Sequence, residues 1–180
     1  MGKATQDLKK EHDSILHVLK IVDKMMAAEA KEDLVKLRYY NELIYFLQIF
    51  ADKCHHGKEE NFLFEELVQK GVRKEGGPIG VLLQEHKQAR EYIAQMNKSL
   101  QERDLAKFQL LAAKYRDLLR SHIEKENNVL FVMADDLLNE TEQNEMFEKF
   151  ENHEENVIGH GVHEKLHAMI QRWSAEFEVQ

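Results

Sequence analysis

Residues 54–64 read CHHGKEENFLF. Two histidines and two glutamates run into an apolar stretch, and the spacing of the apolar residues sets the fold. Leu63, Phe64 and Leu67 recur at the three- and four-residue intervals of one helix face. Extended backwards, that face takes in His56 and Glu60, an i, i+4 pair. Leu37, Tyr40, Leu43, Leu47 and Phe50 carry the helix further back, so it spans about Asp33 to about Lys70. His17 and His55 are expected at the solvent or helix flank.

The same period organises the rest of the chain. Leu8, Ile15, Leu16, Leu19, Val22 and Met26 predict a first helix from about Thr5 to about Ala30. The stretch GVRKEGGPIG (71–80) is a loop, and Pro78 suits the start of a third helix carrying Ile79, Leu82, Leu83, Ile93 and Leu100. After a break at Glu102–Asp104, a fourth helix runs to about Leu138. Asn139–Glu140–Thr141 reads as a cap, followed by a shorter helix over about 142–153 and, after GHG (159–161), a last one to about Phe177. With one proline and eight glycines there are few breakers, and no alternating strand pattern persists. The expected fold is all-α: an up-down-up-down four-helix bundle over residues 1–140, with C-terminal helical segments (141–180) packed on it in the same domain.

A chain of 180 residues can bury a full core. The net charge of −8 argues against nucleic acid, whose phosphates need a basic face. No apolar run approaches the length that spans a bilayer, and MGKATQDLKKEHD lacks the apolar region of a signal peptide. MGKATQ comes near a myristoylation pattern without a second membrane signal. A single cysteine, Cys54, excludes an internal disulfide and fits a reducing compartment. A cytoplasmic protein, monomer or dimer, is expected.

Each long helix interrupts its apolar stripe with histidine. His12 points inward with Leu8, Ile15 and Leu16; His86 continues Ile79, Leu82 and Leu83; His122 and Glu126 form a second i, i+4 pair between Leu118/Leu119 and Val129/Leu130. One inward histidine is ordinarily a hydrogen-bonded core residue, so the signal is the set. An unpaired core carboxylate costs several kcal/mol, and a metal removes that cost. Imidazole with carboxylate suits iron, manganese or zinc. Two carboxylates among several histidines suit a pair of ions bridged by Glu60 and Glu126.

The stretches KKEHDSI (9–15), HHGKEENFLFEEL (55–67), LLQEHKQAREYI (82–93) and LLRSHIEKENNVLFVMAD (118–135) together resemble the hemerythrin-like, or HHE cation-binding, family. The resemblance covers about residues 5–138. It implies a four-helix bundle with a non-haem di-iron centre, ligated by His12, His56, Glu60, His86, His122 and Glu126. Two departures stand out. Oxygen-carrying hemerythrins have HxxxH on the third helix, where this chain has His86 and Arg90. Their last motif is HxxxxD, where this chain has His122, Glu126 and Asn127. One ion would then lack a histidine. The tail GHGVHEKLH (159–167) offers His163 as the missing ligand, with His167 as second choice.

The implied function is binding or sensing of a small oxidant, O2 or NO, with Leu16, Leu63, Phe64, Leu119 and Val129 lining the pocket. A second reading is enzymatic: removal of peroxide or NO, or donation of iron to damaged iron–sulfur centres. A third is a structural zinc or metal-storage bundle. Cys54 has a redox-sensor reading, but a lone helical cysteine is ordinarily inert.

Overall fold

The predicted apolar stripes become the inner walls of six helical rods in a computed structural model that describes residues 1–28 and 33–180. The expected end of the first helix near Ala30 lies outside the described residues. The first rod is α1 (Lys3–Ala27). The second is continuous but changes pitch: α2 (Asp33–Phe46), π1 (Leu47–His56), π2 (Glu59–Leu63) and α3 (Phe64–Gln69). The third is α4 (Pro78–Gln101), with Pro78 in its first turn. The fourth joins α5 (Leu105–Lys125), π3 (Glu126–Leu130) and α6 (Phe131–Leu137). Asp104 caps α5 by accepting from the Lys107 amide. The fifth rod is α7 (Glu140–His153) with π4 (Glu154–Ile158), and the sixth is α8 (Val162–Glu176). Asn139 and Glu142 form a reciprocal capping box at the start of α7. Between π4 and α8 the chain turns through Gly159 and Gly161, with φ of 110° and 72°, a region other residues rarely adopt. The described residues contain no strand, so the fold is all-α.

The core is split in two. One cluster gathers Ile15, Leu19, Tyr40, Phe46, Phe50, Ala89, Phe108, Tyr115, Leu119, Ile123 and Trp173. The other gathers Leu8, Leu63, Phe64, Leu67, Ile79, Leu82, Leu130, Phe131 and Phe150. Each of the first four rods crosses from one cluster to the other. At the crossing each places ionisable side chains: His12 between Leu8 and Ile15, residues 55–59 between Ala51 and Leu63, His86 between Leu82 and Ala89, and His122 and Glu126 between Leu119 and Leu130. A polar layer is therefore sandwiched between two apolar ones.

Among the described residues no helix is long and apolar enough to cross a membrane. The last two rods pack along the outside of π1 and α1. Trp173 is fully buried and donates to Glu42, His17 meets the Ser174 hydroxyl at 2.6 Å, and His153 Nε2 donates to the Lys53 carbonyl at 2.8 Å.

Candidate metal centre

The centre depends on a change of helix pitch. In π1 and π2 the backbone bonds run from residue i to i+5, as in Gly57 N–H to Asp52 O and Phe64 N–H to Glu59 O. The wider turn rotates successive residues less, so neighbours share a face. His55 and His56 are both 1% exposed, and Glu59 is fully buried. Glu60, expected inside, has a side chain 25% exposed and is directed outward. In π3 the Phe131 amide reaches Glu126 O in the same way.

Two donor groups result. The ligand atoms of His56, Glu59, His86 and His122 all lie within 4.8 Å of one another, as do those of His12, His55, Glu59 and Glu126. Glu59 is common to both. Its Oε1 faces His55 Nε2 at 3.4 Å and its Oε2 faces His86 Nε2 at 3.4 Å. Glu126 also spans the halves: its Oε2 is 3.2 Å from His12 Nε2 and 3.1 Å from His122 Nε2. Nε2 of His12 and His55, both ring nitrogens of His56, and all four oxygens of Glu59 and Glu126 are buried without a partner in hydrogen-bond geometry. Buried polar atoms are rarely left so. Five imidazoles and two carboxylates aimed at a common interior fit a metal cation, which supplies the missing partner to each.

Around this set stands a ring of partners that orient the imidazoles. His86 Nδ1 donates to Glu60 at 2.7 Å, and His122 Nδ1 to Glu85 at 2.9 Å. His55 Nδ1 donates to Glu11 and His12 Nδ1 to Asn127, each at 2.9 Å. His56 Nδ1 lies 3.5 Å from Asp52. Arg90 joins Asp52 and Glu60, with 2.7 Å to each. Lys125 pairs with Glu85. Each Nδ1 thereby faces an acceptor while Nε2 is turned toward the interior.

The electrostatics follow from carboxylates in an apolar surround. Burial lowers the His122 pKa, but the Glu126 carboxylate and bonds to Glu126 and Glu85 overcome it and push it up to about 10. Burial raises the Glu126 pKa, but His122 and His12 hold it well below the usual carboxylate range. Burial and the neighbouring His86 and His122 push His56 well down, so its imidazole stays neutral and able to donate an electron pair.

Of the predicted site residues, the structure brings together His12, His56, His86, His122 and Glu126. Two others are placed differently. Glu60 belongs to the outer ring, because the π-turn rotates Glu59 inward in its place. His163 lies in neither central group; it comes together with Glu11 and Glu154 instead. There the Lys58 ammonium pairs with Asp7, Glu11 and Glu154, so that cluster already holds a cation. His167 stands edge-on to His163, with ring centroids 4.6 Å apart. His55 is inside rather than at the flank, in the group with His12, Glu59 and Glu126. Val129 is 51% exposed, because the π-turn at 126–130 carries it outward, whereas Leu63, Phe64 and Leu119 are buried. Cys54 is buried, and burial beside Glu11 pushes its thiol pKa up, against a sensor role.

A signal for the missed residues exists in the sequence. HHGKEE contains two overlapping HxxxE pairs, 55/59 as well as 56/60. The apolar stripe running forward from Leu47, Ala51 and Cys54 points to Lys58, while the stripe running back from Leu67 and Leu63 points to Glu60 and His56. Two stripes out of phase within one helix mark an insertion in the turn.

No curated protein and no solved structure matches the chain. The family model described as the hemerythrin HHE cation-binding domain matches residues 3–134, nearly three-quarters of the chain and every residue of the polar layer. With that match, within which the buried histidine and glutamate donors lie, the chain belongs to the hemerythrin HHE cation-binding family.

Proposed function

We propose that the centre holds two iron ions bridged by Glu59 and Glu126, and that it binds a small oxidant, dioxygen or nitric oxide. The observation that carries this reading is the unequal division of donors around a shared pair of carboxylates. One half has His56, His86 and His122; the other has only His12 and His55. The second half, one imidazole poorer, is where an exogenous ligand would find a coordination position. A structural zinc site is closed by four donors, usually with cysteine. This set has two shared carboxylates, no thiolate and more donors than one zinc would use.

Iron bound here would supply the electrons that a diatomic oxidant accepts. The residues do the rest. Glu59 presents one oxygen to each half and would be the carboxylate shared by cations bound there. Phe131 stacks on His12 with centroids 5.1 Å apart, and Phe64 on His86 at 5.6 Å. With Leu8, Leu63 and Leu130 they wall the layer against water. Glu11, Glu60 and Glu85 accept from the imidazoles and raise their basicity as donors.

Metal analysis with visible absorption spectra, on protein purified without air and then exposed to it, tests the reading. Two irons per chain and a stable new visible band on exposure are expected. Catalytic loss of added peroxide or NO would select the enzymatic reading. Colourless protein containing zinc and inert to oxygen would overturn the proposal.

A further inference from the structure

The most unusual side chain outside the donor set is Lys58. It sits between His56 and Glu59 in the sequence, yet it is fully buried. Isolated ammonium groups are almost never buried, because desolvation is too costly. Here three carboxylates from two separate rods surround it. Asp7 and Glu11 of α1 accept from Nζ at 3.0 Å each, and Glu154 at the start of π4 pairs with it as well. The Phe150 ring lies beneath, 5.4 Å from Nζ.

Glu11 makes this cluster part of the centre. Its Oε1 accepts from Lys58 and faces the Cys54 thiol at 3.5 Å, while its Oε2 accepts from His55 Nδ1 at 2.9 Å. His55 is one of the two imidazoles of the half that also holds His12. A continuous line therefore runs Glu154, Lys58, Glu11, His55, Glu59. Its outer end lies beyond residue 134, in the segment that the family model does not match. That segment is pressed against the second rod at the same level. A Cβ on Gly57 would stand 2.9 Å from His153 Nε2, so any larger residue there would have to displace that ring.

We propose that Lys58 is a positioning residue for the two-histidine half of the centre, its buried ammonium orienting Glu11 onto His55 and tying the C-terminal segment to that half through Glu154. This rests on the reading that the centre holds metal. Among the described residues the three-histidine half shows no such tie; its partners Asp52, Glu60 and Glu85 are held by Arg90 and Lys125, which are partly exposed. The C-terminal segment thus acts selectively on one ion of the pair.

The test uses the full chain with Lys58→Met and, because that change strands buried carboxylates, the milder Glu154→Gln. Ferrous titration and Mössbauer spectra of the loaded protein read the two ions separately. Nitrogen NMR of the His55 ring in metal-free protein reads its orientation without iron. In Lys58→Met one of the two binding steps weakens by about 10–100-fold, one Mössbauer doublet shifts, and the His55 Nδ1 signal loses its hydrogen-bonded position. Glu154→Gln moves the same doublet by less. If both doublets move together, or neither moves and the His55 signal is unchanged in Glu154→Gln, the proposal is overturned. Wild-type protein that takes up no iron would defeat the functional reading instead, and the His55 signal would still decide the role of Lys58.

Discussion

The two halves of the centre share Glu59 and Glu126 but are built differently. Around the three-histidine half, Asp52, Glu60 and Glu85 face ring nitrogens, and Arg90 and Lys125 hold those carboxylates from partly exposed positions. Around the two-histidine half, His12 meets the neutral amide of Asn127, and His55 meets Glu11, itself bonded to a buried lysine. A carboxylate partner makes an imidazole a stronger donor than an amide does. The first half is therefore the better-furnished site for a resident ion. The second is the one with fewer and less uniformly strengthened donors.

The largest effect should come from what the halves share. Glu59→Gln replaces one of the two oxygens with an amide nitrogen and removes the charge, so the residue no longer serves both halves. Metal retention should fall sharply, measured as metal per chain after dialysis. Glu60→Gln, one residue on, should leave both bound. The opposite pair of results would restore Glu60 as the bridge and discard the π-turn account. Next in size is removal of the metal itself. Two carboxylates without cations destabilise the core, so chelation should lower the melting temperature. The loss is about 2.7 kcal/mol for free ion at a hundred times its dissociation constant. An unchanged melting curve would break the link between the donors and stability.

The ring of outer partners should separate the halves. Glu85→Ala should weaken binding at the three-histidine half by about 10–100-fold. Asn127→Ala should act on the other half, and by less, since an amide is lost rather than a carboxylate. Stepwise titration followed by calorimetry reads both; equal effects on both steps would contradict the division. A control remote from either half is Asp23, which Arg116 and Arg120 grip from α5. Burial raises its pKa, but the hydrogen bonds and charges of the two guanidinium groups together hold it below the usual range. A depressed folded pKa means that its stabilisation is complete above the unfolded carboxylate pKa and fades as pH falls through the folded value. Asp23→Asn should cost less than about 1 kcal/mol at neutral pH. It should cost nothing in acid, with metal content unaltered, as denaturant melts at the two pH values would show. The smallest effect is expected of His163→Ala: both ions retained, and a fall to one would bring the tail back into the ligand set.

Much of this was legible in the residues, for a local reason. The helical period places His12, His86 and His122 on apolar stripes because each lies in a regular turn, where three and four residues return to the same face, and Glu126, which opens π3, is reached from the regular turn before it. His55 and Glu59 lie where the period changes, and a projection at the ordinary helical angle turns them away and turns Glu60 in. Arg90 and Asn127, which look like defects in a ligand pattern, acquire their role only when Asp52, Glu60 and His12 from other rods stand beside them.

The order of amino acids alone determined an all-helical chain with ionisable groups on its inner seams, because hydrophobic periodicity is a property of neighbouring residues. The packed structure decided which of two overlapping HxxxE pairs supplies the buried carboxylate common to both donor groups, and where the C-terminal segment rests. A π-turn has poorer local bonding than an α-helix and persists only where contacts between rods favour it. A buried lysine is stable only where distant carboxylates converge on it.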